Sequence, residues 1–128
     1  MASAVLDASA LLVLLKGEPG TDEVAEALPG AVISAVNLAE VVGKLVDSGM
    51  PEEALRGLLE GLSLGVAPFD QGDAYAAGLL RAPTRRAGLS LGDRACLALA
   101  TRLDVPAVTT DRAWKRVRSG ATVRVVGR

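Results

Sequence analysis

The chain has 128 residues, no histidine, one cysteine and a net charge of −1, and half of its residues are hydrophobic. This length and hydrophobic fraction suffice for one domain with a substantial core, spanning residues 1–128. The absence of histidine excludes Ser-His-Asp and Cys-His catalytic sites and His-based zinc sites. Cys96 lies in an apolar run, where we expect a small buried hydrophobe.

The N-terminus lacks the basic segment of a signal peptide, and Asp7 interrupts its apolar stretch. No uninterrupted apolar run is long enough to span a bilayer. We therefore expect a cytoplasmic protein that does not associate with membranes.

Apolar runs separated by turn residues predict strands and helices in alternation along the chain. Predicted strands cover residues 3–6, 31–33, 64–67, 107–109 and 123–126. Predicted helices cover residues 9–16, 21–28, 35–46, a segment that begins at Pro51, 70–80, 90–103 and 111–118. Thr21, Ser34, Asp70 and Ser90 are the expected helix caps. The pattern predicts a parallel α/β sheet that is covered by helices on both faces.

Four acidic residues, Asp7, Glu40, Asp93 and Asp111, are the main candidates for a functional site. Asp7 directly follows the first strand and Asp111 follows the fourth, and ligands of such folds bind beyond the carboxyl ends of the strands. Each of these two residues could instead cap the helix that follows it. Ser9 could assist the Asp7 cap or add a polar oxygen to a site.

Asp93 and Glu40 lie in helices that read as largely apolar. Asp93 stands three residues after Ser90, so it can complete an acidic variant of the capping box, while Gly92 before it allows a close approach. Glu40 could pair with Lys44, but such a pair contributes only about 0.2–0.5 kcal/mol on an exposed helix. Because its helix is apolar nearly all round and is therefore expected to be buried, a functional role is favoured for Glu40. Asn37 lies one turn earlier on the same face.

The four carboxylates become informative as a set. Clustered carboxylates repel one another unless a cation lies between them, and an all-oxygen site suits Mg²⁺ or Mn²⁺. The chain has no G-x-x-x-x-G-K-[ST] loop and no G-x-G-x-x-G turn, which excludes a P-loop and leaves a dinucleotide fold unsupported. The remaining chemistry for such a site beside arginines is metal-assisted phosphoryl transfer or hydrolysis, in which the metal activates water.

Charge is divided unevenly along the chain. Residues 1–80 hold 3 basic and 12 acidic residues, whereas residues 81–128 hold 11 basic and 3 acidic ones. Arginine outnumbers lysine 11 to 3, and its planar fork suits phosphate. The basic half therefore predicts a polyanion-binding surface, although folding could also mix both charges on one surface.

Four segments occur in order across nearly the whole chain: VLDASALL, NLAEV, LSLGDRACLALA and VTTDRAW. They resemble the motifs of PIN-domain ribonucleases, in particular the toxin half of VapBC-type toxin–antitoxin pairs. The resemblance implies a single PIN domain with a three-layer α/β/α fold and a short-stranded parallel central sheet. It further implies a Mg²⁺- or Mn²⁺-dependent endoribonuclease that acts as the toxin of a type II toxin–antitoxin system.

The resemblance also assigns roles to residues. It places the metal and the catalysis on Asp7, Glu40, Asp93 and Asp111. Ser9 and Thr109 become auxiliary polar residues, to which we add Asn37. It implies a homodimer and a VapB-type antitoxin whose tail occupies the active-site groove. The candidate RNA contacts are Arg85, Arg86, Arg94, Arg112, Lys115 and Arg116.

Other classes fit the sequence less well. A receiver-type signalling domain needs adjacent acids after strand one, but Ala8 follows Asp7, and residues 51–62 read as a helix where that domain needs a strand. A haloacid-dehalogenase-like phosphatase needs an Asp-x-Asp motif after the first strand, but this chain has Ser9 at the position of the second aspartate. The intact quartet argues against a non-catalytic binding module. A PIN nuclease of RNA processing is the main alternative to a toxin.

Overall fold

Five parallel strands form the centre of the computed structural model, which describes residues 1–127. The strands are β1 (Ala4–Leu6), β2 (Ala31–Ser34), β3 (Gly65–Ala67), β4 (Ala107–Thr109) and β5 (Val123–Val125). Their order in the sheet is β3-β2-β1-β4-β5, and every neighbouring pair is parallel. The chain builds outward in one direction from β1 to β3 and in the other from β4 to β5. The topological switch point, where ligands bind in open α/β sheets, therefore lies between β1 and β4.

Helices cover both faces of this sheet and complete the predicted three-layer α/β/α fold. They are α1 (Ala8–Lys16), α2 (Thr21–Ala27), α3 (Ala35–Asp47), α4 (Glu52–Glu60), α5 (Gln71–Leu79), α6 (Arg81–Thr84) and α7 (Leu91–Leu103). Two 3₁₀ helices, Arg85–Ala87 and Arg112–Arg116, flank α7 and β4 in the chain. Within residues 1–127, no helix combines the length and the apolar character needed to cross a membrane.

The core follows from the alternation of side chains along β1. Val5 packs with Leu97 of α7 and with Trp114 on one face of the sheet. Its neighbours Ala4 and Leu6 point to the other face, where they pack with residues of α1 and α2. Trp114 is fully buried and acts as a packing anchor, and Cys96, which the sequence predicted to be buried, lies in the same layer.

The predicted caps are mostly confirmed. The side chains of Ser34, Asp70 and Ser90 each accept a hydrogen bond from a backbone N–H in the first turn of α3, α5 and α7, respectively. Thr21 is an exception, because Gly20 holds the cap position of α2. The Thr21 hydroxyl instead donates back to the carbonyl oxygens of Val13 (3.0 Å) and Glu18 (2.6 Å).

Three other expectations differ from the structure. Residues 81–87, for which the sequence predicted no element, form α6 and a 3₁₀ helix. The predicted helix over 111–118 is a shorter 3₁₀ helix over Arg112–Arg116. The expectation that α3 is buried nearly all round is wrong, because α1, α4, α7 and the sheet leave its outer side uncovered, where Glu40 and Lys44 are exposed.

Candidate functional site

Asp7 lies at the end of β1 and caps α1, and it is only 4% exposed. Its Oδ1 accepts hydrogen bonds from the Ala10 N–H (2.8 Å) and the Ser9 hydroxyl (2.7 Å). Its Oδ2 accepts one from the Thr109 hydroxyl (2.6 Å). Burial raises the pKa of Asp7 to about 6 although these bonds oppose the rise, and the charge of Asp93 raises it further. A carboxyl group thus lies at the switch point of the sheet, in a buried position that disfavours its charged form.

A short network connects Asp7 to the loop after β4. The Thr109 hydroxyl, which donates to Asp7, accepts a hydrogen bond from the Asp111 N–H (3.1 Å). Ser9 Oγ accepts one from the Thr110 N–H (3.1 Å). Asp111 itself is exposed, and its Oδ1 accepts from the Ala113 N–H (2.9 Å). The network therefore ties the ends of β1 and β4 together and sets the start of the loop that carries Asp111.

Glu40 lies on the exposed side of α3 and faces the start of α7. Asn37 Nδ2 donates to Glu40 Oε1 (3.1 Å) and to the Gly92 carbonyl oxygen (3.0 Å). Partial desolvation raises the pKa of Glu40, and the negative charge of Asp93 adds to the rise. Among residues 1–127 no ion pair within 4 Å joins Glu40 to Lys44, although the charge of Lys44 partly offsets the rise in the pKa of Glu40.

Asp93 occupies the third position of α7 in a reciprocal capping box with Ser90. Its Oδ2 accepts a hydrogen bond from the Ser90 N–H (2.9 Å), and its own N–H donates to Ser90 Oγ (3.2 Å). The cap predicted from the sequence is therefore real. It coexists with electrostatic contact to two other carboxylates, since the charge of Asp93 raises the pKa of both Asp7 and Glu40.

The structure thus brings Asp7, Glu40 and Asp93 into one electrostatic neighbourhood and connects Asp111 to it through Thr109. Within residues 1–127, no three acidic or cysteine side chains already stand in a metal-binding arrangement. Glu40, Asp93 and Asp111 each direct one oxygen to a nearby hydrogen-bond donor. The charges of these carboxylates influence one another, but their side chains do not form a closed metal-binding site.

The donor set nevertheless fits a hard divalent cation. All candidate ligands are oxygen atoms, which Mg²⁺ and Mn²⁺ prefer. The second carboxylate oxygen of Glu40, Asp93 and Asp111 has no hydrogen-bond partner among the described residues. A cation would also offset the repulsion that raises the pKa of Asp7 and Glu40.

Five exposed basic residues form what we call the basic surface: Arg85, Arg86, Arg112, Lys115 and Arg116. They lie on the two 3₁₀ helices, which contact each other, so two segments separated in sequence form one patch beside Asp111. Within the described residues the ion pairs are Arg56–Glu52 and Arg102–Asp73, which leaves the basic surface without an acidic partner.

Arg94 was a candidate RNA contact, but it does not belong to this surface. It is 8% exposed and donates from Nη1 to the Ala77 carbonyl oxygen (3.0 Å) between α5 and α7. The sequence did not reveal the burial of Arg94. Whether a residue in the first turn of α7 is buried depends on where α5 packs, and the sequence around Arg94 does not specify this.

Gly92 is the residue of the site whose contact was not foreseen. The sequence suggested that a ligand or a backbone would approach it, but the group that does so is the Glu40 carboxylate. The available signal was a glycine in the first turn of a helix, where glycine is unfavourable.

Comparisons with known proteins bear on the fold. A family model described as PIN domain matches residues 4–120. The DNA-bound VapBC from Salmonella typhimurium has 23% identity over 97% of this chain and 98% of that chain, with a TM-score of 0.78. VapBC2 from Rickettsia felis, bound to a promoter DNA fragment, has 19% identity over 94% and 96%, with a TM-score of 0.74. VapBC-5 from Mycobacterium tuberculosis has 21% identity over 98% of both chains, with a TM-score of 0.64. No match was found among curated protein sequences.

Proposed function

Because this chain belongs to the PIN domain family, we propose that it is a metal-dependent endoribonuclease and the toxin of a VapBC-type toxin–antitoxin pair. The observation that carries the proposal is the position of Asp7. A carboxyl group whose pKa burial raises to about 6 is held at the switch point, within reach of the charge of Asp93 and near a basic surface that has no acidic partner among the described residues. That combination suits hydrolysis of a phosphodiester backbone.

In this proposal Asp7, Glu40, Asp93 and Asp111 hold Mg²⁺ or Mn²⁺. The bound ion would supply Lewis-acid stabilisation of the phosphate and lower the pKa of the attacking water. Ser9 and Thr109 act on Asp7, whose two oxygens they fix by hydrogen bonds of 2.7 and 2.6 Å before any ligand arrives. A carboxylate that is oriented in advance does not lose rotamer freedom when the site is occupied.

The basic surface would bind the RNA backbone. Arginine offers paired donors to phosphate oxygens, and no acidic residue within the described part of the chain competes for these side chains. Base stacking can contribute little, because aromatic residues make up 2% of the chain and Trp114 is buried. Recognition would therefore depend mainly on phosphate contacts.

An antitoxin partner is proposed on two grounds. Several solved structures with the same fold are described as VapBC, including the DNA-bound example from Salmonella typhimurium. In addition, α3 and α4 leave a groove of about 530 Å³. The apolar part of its lining is Leu38, Val42, Val46, Met50, Leu55 and Leu59, and the charged residues Glu52, Arg56 and Glu60 complete the lining. Val46 in this groove is 56% exposed, and a VapB-type segment would remove it from water. We further propose a homodimer, with the exposed apolar side chains of Tyr75 and Leu79 as available contact area.

Purified protein and single-stranded RNA test the nuclease. We expect cleavage with Mg²⁺ or Mn²⁺, loss of cleavage in excess EDTA, and recovery when Mn²⁺ is returned. Asp7→Asn should abolish cleavage while circular dichroism shows an intact fold. Asp22→Asn makes the same chemical change on the exposed face of α2 and should cleave like the wild type. Cleavage that persists in EDTA would refute the metal mechanism.

Expression in cells separates a toxin from a nuclease of RNA processing. We expect wild-type protein to arrest growth and to produce a defined RNA fragment, and Asp7→Ala to do neither. Co-expression of the cognate VapB-type antitoxin should restore growth. Val46→Asp should weaken antitoxin binding without loss of cleavage. Growth that is unaffected by the active enzyme would instead favour RNA processing.

A further inference from the structure

Gly92 lies in the first turn of α7, directly before Asp93, and is buried. The Glu40 carboxylate of α3 packs directly against it. A Cβ atom placed on Gly92 would overlap Cδ and both carboxylate oxygens of Glu40. The backbone of Gly92 is outside the left-handed region, so alanine could adopt it without strain. Gly92 is therefore not required by its backbone conformation. The absence of a side chain there leaves space for the Glu40 carboxylate.

Asn37 fastens the same contact from the α3 side. It is 1% exposed, and its Nδ2 donates both to Glu40 Oε1 (3.1 Å) and to the Gly92 carbonyl oxygen (3.0 Å). One amide group thus joins the Glu40 side chain to the backbone at the start of α7. The carboxylate is held between a bridging amide and a position without a side chain.

A glycine at position 92 destabilises α7, so the stability of the fold does not explain why a glycine is there. Glycine in a helix is less favourable than alanine. The atoms that an added Cβ would meet belong to the far end of the flexible Glu40 side chain, which could rotate away. Alanine would thus be tolerated by the fold, and the loss would be the position of the Glu40 carboxylate beside Asp93.

We infer that Gly92 is a positioning residue, which keeps the Glu40 carboxylate at the metal site by leaving the space that this carboxylate occupies. The inference rests on the proposed function for its consequence, since Glu40 matters there as a metal ligand. The geometry itself is independent of any activity.

Mn²⁺ binding, measured by electron paramagnetic resonance, tests the inference without a substrate. Partners that orient metal ligands typically change metal affinity by about 10–100-fold. We expect Gly92→Ala to bind Mn²⁺ at least about tenfold more weakly, with a melting temperature no lower than that of the wild type. The matched control is Gly43→Ala in α3, whose added Cβ would meet no atom within 4 Å. This control should bind Mn²⁺ like the wild type. Wild-type affinity in Gly92→Ala would overturn the inference.

A double-mutant cycle tests whether Gly92 acts through Glu40. In a Glu40→Gln background the carboxylate charge is already absent, so adding Gly92→Ala should weaken Mn²⁺ binding no further. An equal loss in both backgrounds would show that Gly92 acts independently of Glu40 and would overturn the inference.

The position of the carboxylate can also be read without metal. In protein with ¹³C-labelled glutamate, the Glu40 carboxyl resonance, assigned with Glu40→Gln, should shift in Gly92→Ala and not in Gly43→Ala. An unchanged resonance would contradict the inference. Failure of the proposed function is recognised separately: a wild type that binds Mn²⁺ but cleaves no RNA would refute the nuclease and leave the positioning role intact.

Discussion

The Thr109 hydroxyl donates a 2.6 Å hydrogen bond to Oδ2 of Asp7, and the two residues are 102 positions apart in the chain. The bond joins the end of β1 to the end of β4, across the switch point of the sheet. Thr109 is fully buried and also accepts the Asp111 N–H. A single hydroxyl therefore orients one candidate metal ligand and anchors the backbone of another.

Thr109→Val tests this relationship with almost no change in side-chain volume. We expect RNA cleavage to fall by about 10–100-fold, because the variant loses a group that orients a metal ligand. The pKa of Asp7 should rise further, since the lost bond holds it down. Initial rates at several pH values measure both effects. Thr101→Val is the control, because it removes a hydroxyl that bonds only the Leu97 carbonyl oxygen. Equal rates in the two variants would contradict the role of Thr109.

The raised pKa of Asp7 predicts how the stability of the metal-free protein depends on pH. Burial raises this pKa from 3.8 to about 6, so the folded protein holds a proton that the unfolded chain releases between these pH values. The contribution of Asp7 to the free energy of unfolding is thus fully present below about pH 4 and lost as the pH rises through about 6.

Asp7→Asn removes this penalty and keeps a good helix cap. From pH 4 to pH 7 in EDTA, its free energy of unfolding should gain on that of the wild type by up to about 3 kcal/mol, at roughly 1.4 kcal/mol per pKa unit. Urea unfolding at each pH measures the difference. The exposed control Asp22→Asn should show a flat difference, and a flat difference for Asp7→Asn would show that its pKa is ordinary.

Asp93→Asn should raise the melting temperature of the metal-free protein, because it removes the charge that raises the pKa of both Asp7 and Glu40. Asp73→Asn is a matched control, since Asp73 holds the same capping-box position in α5 but pairs with Arg102 at 3.3 Å. This control should gain no stability. Mn²⁺ should stabilise the wild type more than Asp93→Asn. A lower melting temperature for Asp93→Asn in EDTA would indicate that capping outweighs repulsion.

The basic surface predicts that RNA binding depends on salt. Each phosphate contact to single-stranded RNA contributes a slope of about −0.7 in a plot of log affinity against log salt concentration. We expect two double variants, one combining Arg85→Ala with Arg86→Ala and the other combining Arg112→Ala with Arg116→Ala, each to weaken binding and to make this slope shallower. Fluorescence anisotropy at several salt concentrations measures the slope. Arg56→Ala, which removes a charge already paired with Glu52, should leave it unchanged.

Much of the local structure could be predicted from the sequence. The caps at Ser34, Asp70 and Ser90 follow from bonds between residues two or three positions apart, which the sequence displays directly. The alternation of strands and helices gave the layered α/β fold for the same reason. Exposure was harder to predict. Glu40 was expected to be buried and is exposed, whereas Arg94 was expected at the surface and is buried. Their environment depends on which neighbouring helix covers them, and periodicity within one helix does not specify that neighbour.

The sequence by itself determined the chemical inventory: an acidic set without histidine, an arginine-rich second half, and acids that follow the first and fourth strands. Only the tertiary structure decided that β4 pairs with β1, which places Thr109 on Asp7. It also decided that α3 lies against the start of α7, which places Glu40 on Gly92. Hydrogen bonds within a turn depend on neighbours in the chain. Convergence over 50 or 100 residues depends on the strand order and on how the helices pack over the sheet, and these are properties of the whole fold.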